Sequence, residues 1–442
     1  LILEELMKLL SLFTIICLTG SLFAQTASTP LSMDDCVRIA LENNSQLDIA
    51  QKRLELAKKD QFGSYSNILP TLDVTVNAST FESRGAFLDP NGLPTIGTSS
   101  GEAYNNGVNV GQNIYDGGFW WNSIRKARSD KVAQEFGYDL QRQTTIVTVQ
   151  EAFLNLLKAE KLLEVYDESV KRSEEQLQRS ESLFELGSVA KVDVFQSRVN
   201  LGNDRINYLT QENVVRQSVI TLNIAMGRDP QEELTIKSEE EALGVIGDVN
   251  DLVDEAVKNN PELKQQEQLY KSSKFQSKIA KSPFLPRLSG FFNYSRPLDD
   301  LGQLFESPAD GMSEYNWSLG VSFRWNLFNG FSDMVGAQQA KISEKISFEE
   351  TRERRRNLVG NVKSQHNDLM ALKEIIEINK TNLEASKEEY RLAQERYRVG
   401  AGTALELREA QVKLTNSEQV LVAAKYDALI TSVRLQQTVG KL

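Results

Sequence analysis

A single histidine and two cysteines in 442 residues leave little with which to build a metal centre or a nucleophilic triad. His366 lies inside a long helical pattern, so neither a metal cluster nor His-based catalysis has support. Cys17 and Cys36 stand on opposite sides of a predicted cleavage point, so no intramolecular disulfide survives export. Prolines number ten, and no Pro/Gly/Ser linker cuts the chain into compact blocks. Basic charge is short too. A net charge of −11 excludes the clustered Lys and Arg of a nucleic-acid surface. The basic run Arg354 to Arg356 is flanked by Glu349 and Glu353 and reads as a solvated helix face. Past the N-terminal region, no apolar run reaches the ~20 residues of a spanning helix. The segment Gly400 to Gly402 superficially resembles a phosphate loop, but it follows a helix rather than a strand and lacks the later glycine. The chain therefore reads as no enzyme, with no cofactor and no metal.

What is present begins with a leader. Met7 and Lys8 precede an apolar run from Leu9 to Ala24, followed by Gln25. A charged start, a short apolar stretch and a small residue at the cut predict a secretory signal over 1–24, with the true start at Met7. Ile16 is a poor residue before a lipidated cysteine, which leaves lipidation of Cys17 as the second reading.

The mature chain is a duplication. ALENNSQL (Ala40 to Leu47) matches AVKNNPEL (Ala256 to Leu263), and NILPTL (Asn67 to Leu72) matches PFLPRL (Pro283 to Leu288). Both pairs are shifted by roughly 216 residues. NIYDGGF (Asn113 to Phe119) resembles NLFNGF (Asn326 to Phe331), and LFELGSVAKVDV (Leu183 to Val194) resembles RYRVGAGTALEL (Arg396 to Leu407). These share a shift of roughly 213. Heptads agree with the later shift. Val149, Leu156, Leu163, Val170, Leu177 and Phe184 have Val362, Leu369, Ile376, Leu383, Tyr390 and Tyr397 as twins. After each glycine break run Val194, Leu201, Tyr208, Val215 and Leu222, then Leu407, Leu414, Leu421, Ala428 and Leu435. A repeat of seven marks helices that supercoil around neighbours. A second seam, Ala152, Ala159, Tyr166, Ser173 and Ser180, is mostly small and permits close helix approach. The predicted organisation is a first repeat over 25–227, a linker over 228–251 and a second repeat over 252–442. Each repeat holds a helix, two strands, a very long helix, a glycine turn and a return helix. The long helices, Phe119 to Leu186 and Ser332 to Val399, would each span roughly 100 Å at 1.5 Å per residue.

Between these helices the period switches to two. Leu72, Val74, Val76 and Ala78 alternate with Asp73, Thr75, Asn77 and Ser79. Val108, Val110 and Ile114 alternate with Asn109, Gly111 and Asn113. Leu288, Phe292 and Tyr294 alternate with Ser289 and Asn293, although Phe291 breaks the polar face. Trp317, Leu319, Val321, Phe323, Trp325 and Leu327 line one face of the clearest strand. Segments of about ten residues, apolar on one face with aromatics near the ends, suit an outer-membrane barrel. A β-sandwich core is the alternative. Four strands cannot close a barrel, and lipid tolerates no open strand edge. Two chains would supply about eight strands and three about twelve, and only the larger assembly is an open pore. The Gly/Pro-rich segments Gly85 to Gly101 and Pro297 to Gly311 are expected as outer loops.

In these features the mature chain resembles the TolC-like outer-membrane efflux protein family over nearly its whole length. The motifs are the duplication, the N-N-x-x-L helix near each start, the L-P-x-L entry to each first strand, the D/N-G exit from each second strand, and the two glycine turns. The resemblance implies a mainly α fold with membrane β: a long antiparallel α-helical coiled-coil barrel plus four β-strands per chain. The strands would close as a roughly 12-stranded β-barrel in a homotrimer. It implies a Gram-negative outer-membrane location with a large periplasmic part, contact with outer-membrane lipid, and no nucleic acid. Its partners would be a periplasmic adaptor and an inner-membrane transporter, in tripartite efflux or type I secretion. The segment Arg228 to Asp251 looks like the family's equatorial element. Adaptor-contacting turns map to Leu186, Gly187 and Ser188, and to Val399, Gly400 and Ala401. The closing gate contact maps to Tyr397 and Asp193. The acidic, cation-selective mouth maps to Glu406 and Glu409, where the family often has Asp. A basic residue that some members use as a second gate contact is replaced by Gly402. The runner-up function is a non-conducting coiled-coil envelope scaffold or adhesion protein.

Overall fold

The computed structural model describes residues 30–88, 90, 92–237, 244, 247–298, 302 and 314–441. The predicted signal with Cys17 lies outside these residues, as do parts of the 228–251 and 297–311 segments. In chain order the elements are α1 (Met33–Asn43), α2 (Ser45–Gly63), β1 (Thr71–Leu88), β2 (Pro94–Asp116), α3 (Phe119–Glu185) and α4 (Lys191–Met226). Then come α5 (Val249–Asn259), α6 (Pro261–Ile279), β3 (Arg287–Leu298), β4 (Asn316–Arg324), α7 (Ser332–Arg398) and α8 (Ala404–Val439). The same order of six elements thus occurs twice. The long helices α3 and α7 have 67 residues each, and the return helices α4 and α8 have 36 each. The expected opening helix of each repeat is a pair, broken at Asn44 and at Asn260. No helix among the described residues is long and apolar enough to cross a membrane.

The chain divides into two compact units. One comprises Leu1–Asn44, Thr145–Val245 and Asn367–Arg434. Its dry core gathers Cys36 and Ala40 of α1, Val149, Phe153, Leu156 and Leu157 of α3, and Leu222, Ala225 and Met226 of α4. Ser32 starts α1 through a capping box, taking the Asp35 amide on its hydroxyl at 3.2 Å while the Asp35 carboxylate takes the Ser32 amide. Asn44 donates its side-chain amide to the Ala225 carbonyl at 3.2 Å, which ties α1 to the end of α4. Gly227 follows at φ 75°, where a Cβ would lie 2.7 Å from the Asn43 carbonyl oxygen.

The other unit comprises Ser45–Thr144, Ile246–His366 and Leu435–Leu442. It repeats that tie with twin residues. Asn260 donates to the Thr438 carbonyl at 3.0 Å, and its side-chain oxygen caps α6 by accepting the Leu263 amide at 3.0 Å. Gly440, at φ 79°, faces Asn259 as Gly227 faces Asn43. The N-N motif is therefore a lock between the start and the end of each repeat.

This second unit carries a four-stranded antiparallel sheet in the order β1-β2-β3-β4. Its register aligns the apolar residues into rows. Leu72, Val110, Phe292 and Leu319 form one, and Val74, Val108, Tyr294 and Trp317 form the next. The opposite face aligns Asp73, Asn109, Asn293 and Ser318. Phe291, the apparent fault in the polar face, lies over Gly320, where an added Cβ would meet its ring at 2.7 Å. Ile114 sits at a β-bulge between Asn113 and Tyr115, so it is outside the regular alternation. Two expectations are corrected here. The segment 85–101 is mostly paired strand, with Gly85 opposite Gly97 and Leu88 opposite Pro94. Gly85, Gly97 and Gly101 sit in the ladder, Gly92 stands in the turn at φ 82°, and the Phe81 ring covers Gly101. β4 stops at Arg324, short of Trp325 and Leu327, because its partner β3 begins at Arg287. The Trp325 indole instead donates to the Phe284 carbonyl at 3.2 Å.

Candidate functional site

Both long helices end in the same way. At the end of α3 the Gly187 amide donates to Phe184 at 2.9 Å and the Ser188 amide to Leu183 at 2.8 Å. At the end of α7 the Gly400 amide donates to Tyr397 at 3.1 Å and the Ala401 amide to Arg396 at 2.9 Å. This is the Schellman pattern, and it requires a left-handed residue at the turn. Gly187 and Gly400 both have φ 73°, with open space where a Cβ would stand, so conformation rather than crowding demands glycine. Leu186 and Val399 are 78% and 67% exposed, and Val192 and Leu405 at the start of the return helices are also exposed. Ser188 and Ala401 complete the exposed turns.

The predicted gate residues lie near the two turns but are not joined to each other within the chain. Asp193 is occupied as a helix cap: its carboxylate accepts the Ala190 amide at 3.2 Å. Tyr397 is buried, as the last member of its heptad row, and its hydroxyl has no hydrogen-bond partner among the described residues. Glu406 and Glu409 are both exposed on the first turns of α8. Thr403 opens that helix by accepting the Glu406 amide at 3.2 Å. The Glu406 carboxylate lies 3.6 Å from the Arg396 guanidinium, which also donates to the Ala401 carbonyl at 3.1 Å. A Cβ on Gly402 would stand 3.1 Å from that of Arg396. Arg396 thus holds the basic position at this turn, and a side chain at 402 would crowd it.

One cluster here had no warning in the motifs. Beside the turns, a cavity of about 310 Å³ is lined by Gln176, Val192, Asp193, Asn200, Leu405 and Arg408, among others. Its inner wall is a buried polar network. Arg408 of α8 grips Asp204 of α4 with both guanidinium arms, at 2.7 and 3.1 Å. Ser173 of α3 donates its hydroxyl to the same carboxylate, and Gln411 donates to Ser173 at 2.9 Å. Asp204 is only 6% exposed. Three helices thus meet on one carboxylate. Farther along, the Ser180 and Ser197 hydroxyls lie 3.0 Å apart, and Gln211 donates to the Ala159 carbonyl at 2.9 Å. The signal in the sequence was the small seam: Ser173 and Ser180 mark close approach, and their hydroxyls also need partners. The Asp204 position in the second repeat is Ser417, which meets Ser386 at 3.0 Å in place of the Ser173 contact.

The chain is similar to known proteins in sequence and in fold. The sequence profile of the outer membrane efflux proteins fits residues 36–228 and 252–441. The chain belongs to the outer membrane efflux protein family. Among relatives, it is 24% identical over 388 residues to the outer membrane protein TolC of Escherichia coli, covering 85% of this chain and 76% of that one. It is 20% identical over 413 residues to the probable efflux pump outer membrane protein TtgC of Pseudomonas putida, covering 92% and 83%. Among solved structures, the Campylobacter jejuni CmeC outer membrane channel superposes with a TM-score of 0.82 at 20% identity, covering 92% of this chain and 85% of that one. This efflux protein therefore resides in the outer membrane of a Gram-negative cell and works as an efflux channel.

Proposed function

We propose that three copies of the chain form a passive exit duct, with their sheets joined into one barrel of about twelve strands. The observation that carries this reading is the open sheet. β1 and β4 each leave one edge unpaired among the described residues, while the apolar rows Leu72 to Leu319 and Val74 to Trp317 are coherent across all four strands. Lipid demands that such edges be closed, and closure through identical copies satisfies every edge in the same way. The exposed apolar row would have no use in a water-soluble scaffold.

On this reading the two repeats, 25–227 and 252–442, flank the 228–251 element. The turns at Leu186, Gly187 and Ser188 and at Val399, Gly400 and Ala401 are docking points for a periplasmic adaptor, which couples the duct to an inner-membrane transporter. Open backbone geometry and exposed Leu186 and Val399 support that role. Glu406 and Glu409 face the mouth. Threefold symmetry gathers roughly six carboxylates there; the Arg396 guanidinium beside each Glu406 offsets part of that charge, and within the ~8 Å Debye length the remaining fields overlap into a cation-attracting potential. Tyr397 and Asp193 form the closing contact. The Tyr397 hydroxyl is buried and has no hydrogen-bond partner among the described residues, so it is left available for that contact. No step of this function requires catalysis.

The test is direct. The protein is expected to fractionate with the outer membrane, to run as a detergent-stable trimer, and to conduct in planar bilayers. A monomeric or non-conducting protein in that preparation would refute the duct.

A further inference from the structure

Arg287 opens β3 and Arg324 closes β4, and the register sets them directly opposite each other. Like charges in that arrangement destabilise a strand pair. Among the described residues neither guanidinium takes part in an ion pair, and both side chains are exposed. Their neighbours Leu288 and Phe323 share the apolar face, which puts both arginines on the polar face with Asn293 and Ser318. The third residue of the row is Asp116 on β2. Its carboxylate is buried: one oxygen accepts the Trp120 amide at 3.0 Å at the start of α3, the other has no hydrogen-bond partner, and it makes no ion pair with Arg287 among the described residues. The solvent-facing charge of the row is therefore the two guanidiniums. The entry to β1, Asn67 to Leu72, carries no carboxylate, and the first one, Asp73, is level with Ser318. That level is six residues from Arg324, roughly 20 Å along the strand.

We propose that Arg287 and Arg324 form an anion-binding site on the lumen wall of the barrel, for solutes bearing phosphate or carboxylate groups. This rests on the duct reading above. Two adjacent guanidinium forks match the paired oxygens of such groups, and a bound anion relieves the cross-strand repulsion. Three copies arrange roughly six guanidiniums as a ring. An anionic lipid headgroup offers the same chemistry, but the polar face assigns the site to the soluble anion.

The experiment uses the full-length protein in bilayers of phosphatidylcholine alone, with inorganic pyrophosphate added on the side of the strand loops. Pyrophosphate is expected to reduce the wild-type current. The Arg287→Gln/Arg324→Gln variant is expected to conduct and to need about tenfold more pyrophosphate for half block. Arg287→Lys/Arg324→Lys, which keeps the charge, should fall between them. If the double glutamine variant does not insert, Arg324→Gln alone replaces it, and equilibrium dialysis of pyrophosphate against detergent-solubilised protein gives the same ranking. Equal block of wild type and glutamine variant would overturn the site. So would a current indifferent to pyrophosphate but altered by adding phosphatidylglycerol, which would turn the arginines toward lipid. A wild-type protein that inserts nowhere and never conducts defeats the duct itself, a result distinct from a conducting channel that no anion blocks.

Discussion

Arg408 reaches Asp204 with both arms, and the Asp204 carboxylate, 6% exposed, is poorly placed to find water if the guanidinium is removed. Breaking a buried pair from one side typically costs about 3–5 kcal/mol, because an uncompensated charge stays behind. Arg408→Gln is therefore expected to lower the unfolding midpoint sharply, whereas Asp204→Asn combined with Arg408→Leu should recover much of the loss. A double-mutant cycle by thermal melting in detergent measures it. At Glu406 the outcome concerns conduction. Glu406→Ala/Glu409→Ala should lose cation selectivity in bilayer recordings, and an unchanged reversal potential would leave both residues as helix-end charges. Tyr397→Phe with Asp193→Ala should raise conductance, and no change would leave Tyr397 as a heptad core residue. Two residues near the start of α1 titrate unusually. Burial pushes the Cys36 thiol up to about 11, so Cys36 should not react with a thiol reagent at neutral pH until the protein is unfolded. The Ser32 hydroxyl, with Arg38 behind it, draws the Asp35 carboxyl down from its ordinary 3.8 to about 2. Its contribution to α1 is complete above the ordinary carboxylate range and is lost as pH falls through about 2. Ser32→Ala should shift that acid titration upward in NMR spectra.

The elements show how differently two kinds of signal are written in a sequence. Helix limits were legible because heptads and glycine turns are local: α3 and α7 end one residue short of the expected Leu186 and Val399. Strand limits were not, because they depend on a partner far away in the chain. The end of β4 is set by where β3 begins, and the length of β1 by pairing that runs through glycines otherwise typical of a loop. The side chains that join elements were legible only as spacing. The small seam of α3 is fully closed at Ser180, at 0% exposure, while its large-residue seam ends at Phe184, 42% exposed. The reason for small residues is a set of hydroxyl contacts, which no period reports. At the turns, Gly187→Ala or Gly400→Ala forces a side chain into the left-handed region and should cost about 1 kcal/mol, read as a fall in melting temperature. Neither change meets a clash within the chain, so the proposed trimer should still assemble.

For the whole molecule, the duplication was the most legible feature, since it needs no contact to be seen. Its physical content was not. Asn44 and Asn260, read only as a matching motif, turn out to bind each repeat's beginning to its end. The halves are alike in element order and unlike in chemistry: Asp204 stands where its twin is Ser417, and Arg408 where its twin is Phe195. Swapping the two return helices is therefore expected to leave trimers that fail on denaturing gels at a lower temperature than wild type. The sheet adds a constraint of time. β2 pairs with β3, so Val110 must wait for Phe292, roughly 180 residues later, before the apolar rows that begin in the first hairpin are completed. Until the second repeat has crossed into the periplasm, β2 has no β3 to pair with. Leu72, Val74 and Val76 on the first hairpin are exposed even in the folded single chain, so nothing within the hairpin shields them before then. Late pairing thus sets the interval over which the first hairpin's apolar row is open to aggregation.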